Sequence, residues 1–186
     1  VLSIFIGMAV AVAATAAYGD EKESGAWYVS PMAQWWQLDE NRQAANHVAG
    51  QVAVGYRFDD EMAVELEGGG ASFAAACGCA LTLRKVSLDL IQGFLPYRPL
   101  HPYVIAGLGA IRDREDRLPK TNALSVDVGA GLYYALSARE RIADALSSAT
   151  WQLRAEIKYQ HEFRDLTATN DSVSDIVYGI GVQYSF

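Results

Sequence analysis

The sequence predicts an all-β fold: an eight-stranded antiparallel transmembrane β-barrel, wound as an up-and-down meander. Three observations carry that expectation. The final stretch "IVYGIGVQYSF" sets Ile176, Tyr178, Ile180, Val182, Tyr184 and Phe186 on one face and Val177, Gly179, Gly181, Gln183 and Ser185 on the other. That is the two-residue period of a strand. The stretch "WQLRAEIKYQHEF" sets Trp151, Leu153, Ala155, Ile157 and Tyr159 against Gln152, Arg154, Glu156, Lys158 and Gln160, as a strand between hydrocarbon and a polar interior requires. Finally, Trp27, Trp35, Tyr56 and Trp151, with Phe94, Tyr134, Tyr184 and Phe186, fall near strand ends, where a spanning barrel places its aromatic girdles. A water-soluble sandwich would hide its apolar faces and would not need charge on the opposite face of nearly every strand.

In chain order, residues 1–19 read as a cleaved signal peptide. Val1–Ala17 carries no charge and ends in small residues, with Ala14 and Ala16 forming a small-x-small cleavage site. The chain opens on Val, without a basic leader, so the translation start is open. Residues 20–186 read as the barrel domain. Its first strand, "WYVSPMAQWW", offers Trp27, Val29, Ala33 and Trp35 as the outer set. "GQVAVGYRF" gives Val52, Val54, Tyr56 and Phe58 against Gln51, Gly55 and Arg57, and "MAVELEGG" gives Met62, Val64 and Leu66 against Glu65 and Glu67. "KVSLDLIQGF" opposes Val86, Leu88, Leu90 and Phe94 to Lys85, Ser87, Asp89 and Gly93. In "PYVIAGLGAI" both faces are apolar or glycine, so its orientation is ambiguous. "LSVDVGAGLYYAL" sets Leu124, Val126, Val128, Ala130, Leu132, Tyr134 and Leu136 against Ser125, Asp127, Gly129 and Gly131. Strands of about ten residues suffice to cross a bilayer when tilted.

The connections read as 38–47, 59–61, 69–80, the proline-rich "PYRPLHP", "RDREDRLPKTN", "SARERIADALSSA" and "RDLTATNDSVS". They alternate long and short until the sixth, where Ile142, Ala143 and Leu146 have helical spacing and predict a short helix.

Composition narrows the function. A net charge of −7 argues against nucleic acid as a partner. Cys77 and Cys79 flank one glycine, which leaves open a tight local disulfide or a pair with no role; two thiols do not make a four-ligand zinc site. No metal or other cofactor is expected.

The stretches "AWYVSP", "HPYVIAGLGA", "DVGAGLYYALS", "LRAEIKYQHEF" and "IVYGIGVQYSF" together resemble the small OmpA/OmpX-type outer-membrane β-barrels (porin-like) of Gram-negative bacteria. The resemblance spans the mature chain and implies a monomer in the outer membrane, both termini periplasmic, among outer-membrane lipids and lipopolysaccharide. It also implies that Tyr184 and Phe186 form the terminal signal read by the barrel assembly machinery. Longer members carry a peptidoglycan-binding domain after the barrel, a role not carried over to this sequence.

The candidate functional residues are the inward charges Arg57, Glu65, Glu67, Lys85, Asp89, Asp127, Arg154, Glu156 and Lys158. An eight-stranded barrel has little room beyond its own side chains, so near-balanced charges should pair and plug the lumen. The expected function is therefore a closed barrel acting structurally or through surface loops, not an enzyme. The alternative is a narrow channel for ions or small solutes. A lipid A hydrolase is a third reading, on His161 and Glu162. It lacks a nucleophile, because the position two after the histidine is Phe163 and the next hydroxyl is Thr167. His47 is placed in the first loop. The run Arg112, Asp113, Arg114, Glu115, Asp116, Arg117 and Lys120 reads as a solvated loop or as a contact for lipopolysaccharide phosphates or a host surface.

Overall fold

The computed structural model describes residues 25–38, 47–59, 61–74, 80–95, 99–115, 121–136, 150–163 and 172–186. Eight strands, β1 (Ala26–Gln37), β2 (His47–Arg57), β3 (Met62–Ala74), β4 (Ala80–Gly93), β5 (Leu100–Glu115), β6 (Thr121–Ala135), β7 (Thr150–Phe163) and β8 (Ser172–Ser185), close into a barrel in sequence order. Closure leaves no exposed sheet edge, which a strand array in lipid requires because no water satisfies its backbone there. The seam is the β1–β8 ladder, and the Phe186 amide donates to the Trp27 carbonyl at 2.9 Å beside it. That ladder lapses at Ser30 and Pro31, whereas β1 pairs with β2 without a break. Proline has no N–H to give a second neighbour.

Two rims follow. At the terminal rim, where β1 begins and β8 ends, the described turns are tight. Asp59 Oδ1 accepts from the Glu61 and Met62 amides at 2.8 and 2.6 Å, an Asx turn that reverses the chain into β3. After β4, Leu95 takes φ 55°, a left-handed conformation that non-glycine residues rarely adopt. The far rim is the opposite end.

Side chains alternate across the wall. On β5, Tyr103, Ile105 and Ile111 are buried inward while Val104, Ala106 and Leu108 lie outward, which resolves the ambiguous strand. At the terminal rim two chains of aromatic rings flank the seam. Phe58, Tyr56 and Trp27 contact edge-on at 5.3 and 5.2 Å, and Trp151, Tyr184 and Phe186 follow at 4.7 and 6.1 Å on the other side of the seam. Trp35 stands outward at the far rim.

Several boundaries extend past the sequence reading. β3 runs through the glycines to Ala74, β5 continues to Glu115, and β8 starts at Ser172. Backbone pairing does not depend on side-chain polarity, and the ladders continue past the apolar band. Thus Arg112–Glu115 lies in a strand rather than a loop, and His47 opens β2. The signal peptide, Cys77, Cys79, the helix at Ile142–Leu146, Thr167 and the charges at Asp116, Arg117 and Lys120 lie outside the described residues.

Candidate functional site in the barrel lumen

The lumen is filled in three layers. At the terminal rim, Tyr28, Ala63, Ile91, Tyr103, Ile105 and Tyr133 form one buried cluster, with the Tyr103 and Tyr133 rings stacked at 4.4 Å. Their space is made by glycines on the neighbouring strands. A Cβ on Gly55 would strike the Tyr28 ring, and one on Gly131 would strike Tyr103.

The middle layer is ionic. Arg154, wholly buried on β7, donates through both terminal nitrogens to Glu65 on β3 at 2.6 and 3.1 Å. Its Nε and Nη2 reach Glu156 at 3.0 and 2.8 Å. The planar guanidinium suits this duty, bidentate to Glu65 and forked onto one oxygen of Glu156, which an ammonium could not perform. Tyrosines complete the shell: Tyr28 donates to Glu65 at 2.9 Å, and Tyr103 donates to Glu156 at 2.9 Å while accepting from Arg154 Nε at 3.0 Å. The Arg154 guanidinium also lies 5.5 and 5.7 Å from the Tyr103 and Tyr133 ring centres.

Next along β7, Lys158 pairs with Glu67, with Glu156 at 3.2 Å and with Asp89 at 3.3 Å. Lys85 completes the chain of ions through Asp127 at 2.7 Å and Glu67 at 3.6 Å. Asp89 lies over Gly107, where a Cβ would strike its carboxylate. Glu65, Glu67 and Asp89 bring oxygens within 4.8 Å of one another, the spacing of a metal site. The Arg154 and Lys158 cations already occupy that acidic cluster.

Toward the far rim an apolar cluster of Trp36, Leu38, Ala49, Leu83, Ile111 and Val177 is buried inside the barrel, with the buried acids Glu162 and Asp175 at the same end. The Trp36 indole donates to Gln34 at 2.9 Å, so its polar atom is not left unsatisfied.

Of the nine charges singled out from sequence, the structure brings eight together. Arg57 stands apart, half-buried, its guanidinium 5.9 Å above the Tyr28 ring and without a carboxylate partner among the described residues. Sequence reasoning missed the tyrosines and two buried acids, Glu162 and Asp175. Both continue an inward register, Glu162 two beyond Gln160 and Asp175 two before Val177, so the period of two could have found them.

The ground for setting aside hydrolase chemistry also changes. Ser174, opposite His161 across the β7–β8 ladder, brings its Oγ to 2.9 Å from Nδ1. The nearest hydroxyl is therefore on the next strand, which single-strand spacing does not show. Tyr159 donates to the same Oγ at 2.7 Å. In a serine triad the hydroxyl meets Nε2 and an acid holds Nδ1; here Nδ1 is engaged by Ser174, and Glu162 is buried on the lumen side.

The girdle residues Trp27, Tyr56 and Trp151 and the terminal Tyr184 and Phe186 all lie on the outer face at the terminal rim, apart from the lumen.

Comparison with solved structures returns membrane barrels of the same build. Neisserial surface protein A is 17% identical with a TM-score of 0.61, the alignment covering 88% of this chain and 100% of that one. The N-terminal barrel of OprF from Pseudomonas aeruginosa is 21% identical with a TM-score of 0.52, covering 88% and 100%. Ail from Yersinia pestis, solved with the heparin analogue sucrose octasulfate, is 12% identical with a TM-score of 0.50, covering 87% and 97%. A search of curated proteins found no match. The family model for the outer membrane protein beta-barrel domain matches residues 3–186, and with a closed eight-stranded meander clad in apolar and aromatic side chains, the chain belongs to that outer-membrane family.

Proposed function

We propose that this protein is a closed outer-membrane barrel that works through its outer wall and far-rim loops rather than through its lumen or by catalysis. Its termini face the periplasm, and Tyr184 and Phe186 present the assembly signal there. The observation that carries the reading is Arg154, wholly buried and tied to Glu65 and Glu156 across the barrel, beneath the apolar layer of Trp36, Leu83, Ile111 and Val177. A hydrated ion would have to break buried, hydrogen-bonded pairs and then pass the packed side chains of Trp36, Leu83, Ile111 and Val177. The test is single-channel recording of the folded protein in a planar bilayer. Silence is expected; steady, salt-dependent openings would overturn the closed lumen.

One observation favours a narrow channel as a second reading. Lys158 has three carboxylates in reach and Lys85 two, so cations can exchange partners along a line. Openings whose ion selectivity changes in Lys158→Gln would support it.

A further inference from the structure

The ion network in the lumen is not electrically balanced. With Arg57 standing apart, three cations, Lys85, Arg154 and Lys158, face five carboxylates, Glu65, Glu67, Asp89, Asp127 and Glu156. All eight side chains are buried. Two negative charges are therefore in surplus where bulk water does not reach, and a buried charge without a counter-ion is costly.

The surplus has a place in the wall. Gly107 and Gly109 are successive inward positions of β5, so side chains of β4 and β6 lean over them. The ladders set Asp89, Gly107 and Asp127 in one row and Ser87, Gly109 and Ser125 in the next. Asp89 Oδ1 lies over Gly107, and a Cβ on Gly109 would come within 2.6 Å of Ser125 Oγ and 3.1 Å of Ser87 Cβ. Asp127 leans the same way, because it reaches Lys85 on β4. Lysines hold one oxygen of each aspartate: Lys158 meets Oδ2 of Asp89 at 3.3 Å, and Lys85 meets Oδ2 of Asp127 at 2.7 Å. Oδ1 of each has no hydrogen-bond partner among the described residues, and neither do the hydroxyls of Ser87 and Ser125, each residue 2% exposed. Buried polar atoms are ordinarily paired. Here four oxygens from two strands are left open above two glycines. They are distinct from the Glu65, Glu67 and Asp89 cluster, which Arg154 and Lys158 fill.

We propose that a hard divalent cation, calcium in preference to magnesium, binds there on Asp89 Oδ1, Asp127 Oδ1, Ser87 Oγ and Ser125 Oγ, with water completing its shell. Charge sets the valence. A double positive charge cancels the surplus, whereas water alone would satisfy the hydroxyls and leave the negative charge standing. The donors set the class, since carboxylate and hydroxyl oxygens without imidazole or thiolate suit a hard ion. Four ligands fixed on one stretch of wall fit the variable shell of calcium better than the strict octahedron of magnesium. The tyrosine cluster closes the lumen toward one rim and the apolar cluster toward the other, so the ion enters as the barrel folds.

The experiment refolds the protein from urea into detergent in buffered calcium, in magnesium or in EDTA, and follows each sample by native mass spectrometry and by its unfolding midpoint. The expected result is one calcium per folded barrel, none from EDTA, and a higher midpoint with calcium. Asp89→Asn/Asp127→Asn removes the surplus charge, so it should carry no calcium and unfold at one midpoint in calcium and in EDTA. Ser87→Ala/Ser125→Ala keeps the charge and should bind calcium about tenfold more weakly or worse. Identical masses and midpoints of the parent in calcium and EDTA would overturn the site, as would calcium retained in the aspartate variant or undiminished in the serine variant. Magnesium held more tightly than calcium would overturn the choice of ion. A calcium-free parent whose infrared band of protonated carboxyl disappears in Asp89→Asn/Asp127→Asn would show that protons balance the charge instead, which also overturns the proposal. Conductance plays no part in these readouts. A conducting lumen would sink the closed-barrel reading and speed exchange of the ion without removing its ligands.

Discussion

Glycine has opposite meanings on the two faces of this wall. Inside, Gly55, Gly107 and Gly131 lie under Tyr28, Asp89 and Tyr103, and any side chain would collide with them. Outside, Gly50 and Gly68 face open space. The inner glycines serve the packing of the lumen, where each residue is fixed by a partner on another strand. The outer ones serve no packing of the chain itself. The inner face is therefore the one that breaks on substitution, and the outer face is the one that can change its lipid contacts without unfolding.

The largest effect should come from removing the hub of the inner face. Arg154→Ala leaves Glu65 buried without its cation and Glu156 with Lys158 alone, and breaking a buried pair this way costs about 3–5 kcal/mol. Urea unfolding in lipid vesicles, followed by the gel-mobility difference between cold and boiled samples, should show that loss. An unchanged midpoint would mean the ions do not hold the barrel. Gly107→Val comes next, since it drives a side chain into Asp89, and overpacking of this kind costs about 1–3 kcal/mol. Tyr103→Phe is smaller. It deletes one hydroxyl that links Arg154 to Glu156 while keeping the ring stack, with an expected loss of about 1 kcal/mol in the same assay.

How far the sequence discloses these partners depends on the layer. The period of two on β7 reveals that Arg154, Glu156 and Lys158 share a face, because one side of every strand must meet hydrocarbon. It does not reveal that Arg154 meets Glu65, 89 positions away. That contact depends on the barrel's stagger and on height within the lumen, and alternation carries neither. The far rim misleads for a different reason. Leu83 and Ile111 point inward and their neighbours Arg84 and Arg112 outward, inverting the polarity seen at Arg154. Above the hydrocarbon the outside becomes polar, so the rule that assigns charge to the lumen holds only within the apolar band. Reading "RDREDRLPKTN" as a loop followed from applying that rule too far along the strand. His161 and Ser174 escaped for a third reason: they meet across a ladder, and the spacing of residues along β7 contains no information about β8.

The smallest predicted effect is the sharpest test of the comparison. Gly68→Val places two methyl groups on the outer wall, at a position with no neighbour within 4 Å of the new Cβ. Valine favours extended backbone and glycine does not, so the strand itself should gain slightly. The net change in unfolding free energy should stay within about 0.5 kcal/mol, as for substitutions that disturb no packing. Set beside Gly107→Val, the same chemical change on the adjacent face of the same barrel, the difference in midpoint measures the asymmetry of the wall directly. Equal losses at both positions would show that the outer wall at Gly68 is part of the packed structure. A loss confined to Gly107→Val would show that the space beside Gly68 belongs to what surrounds the barrel.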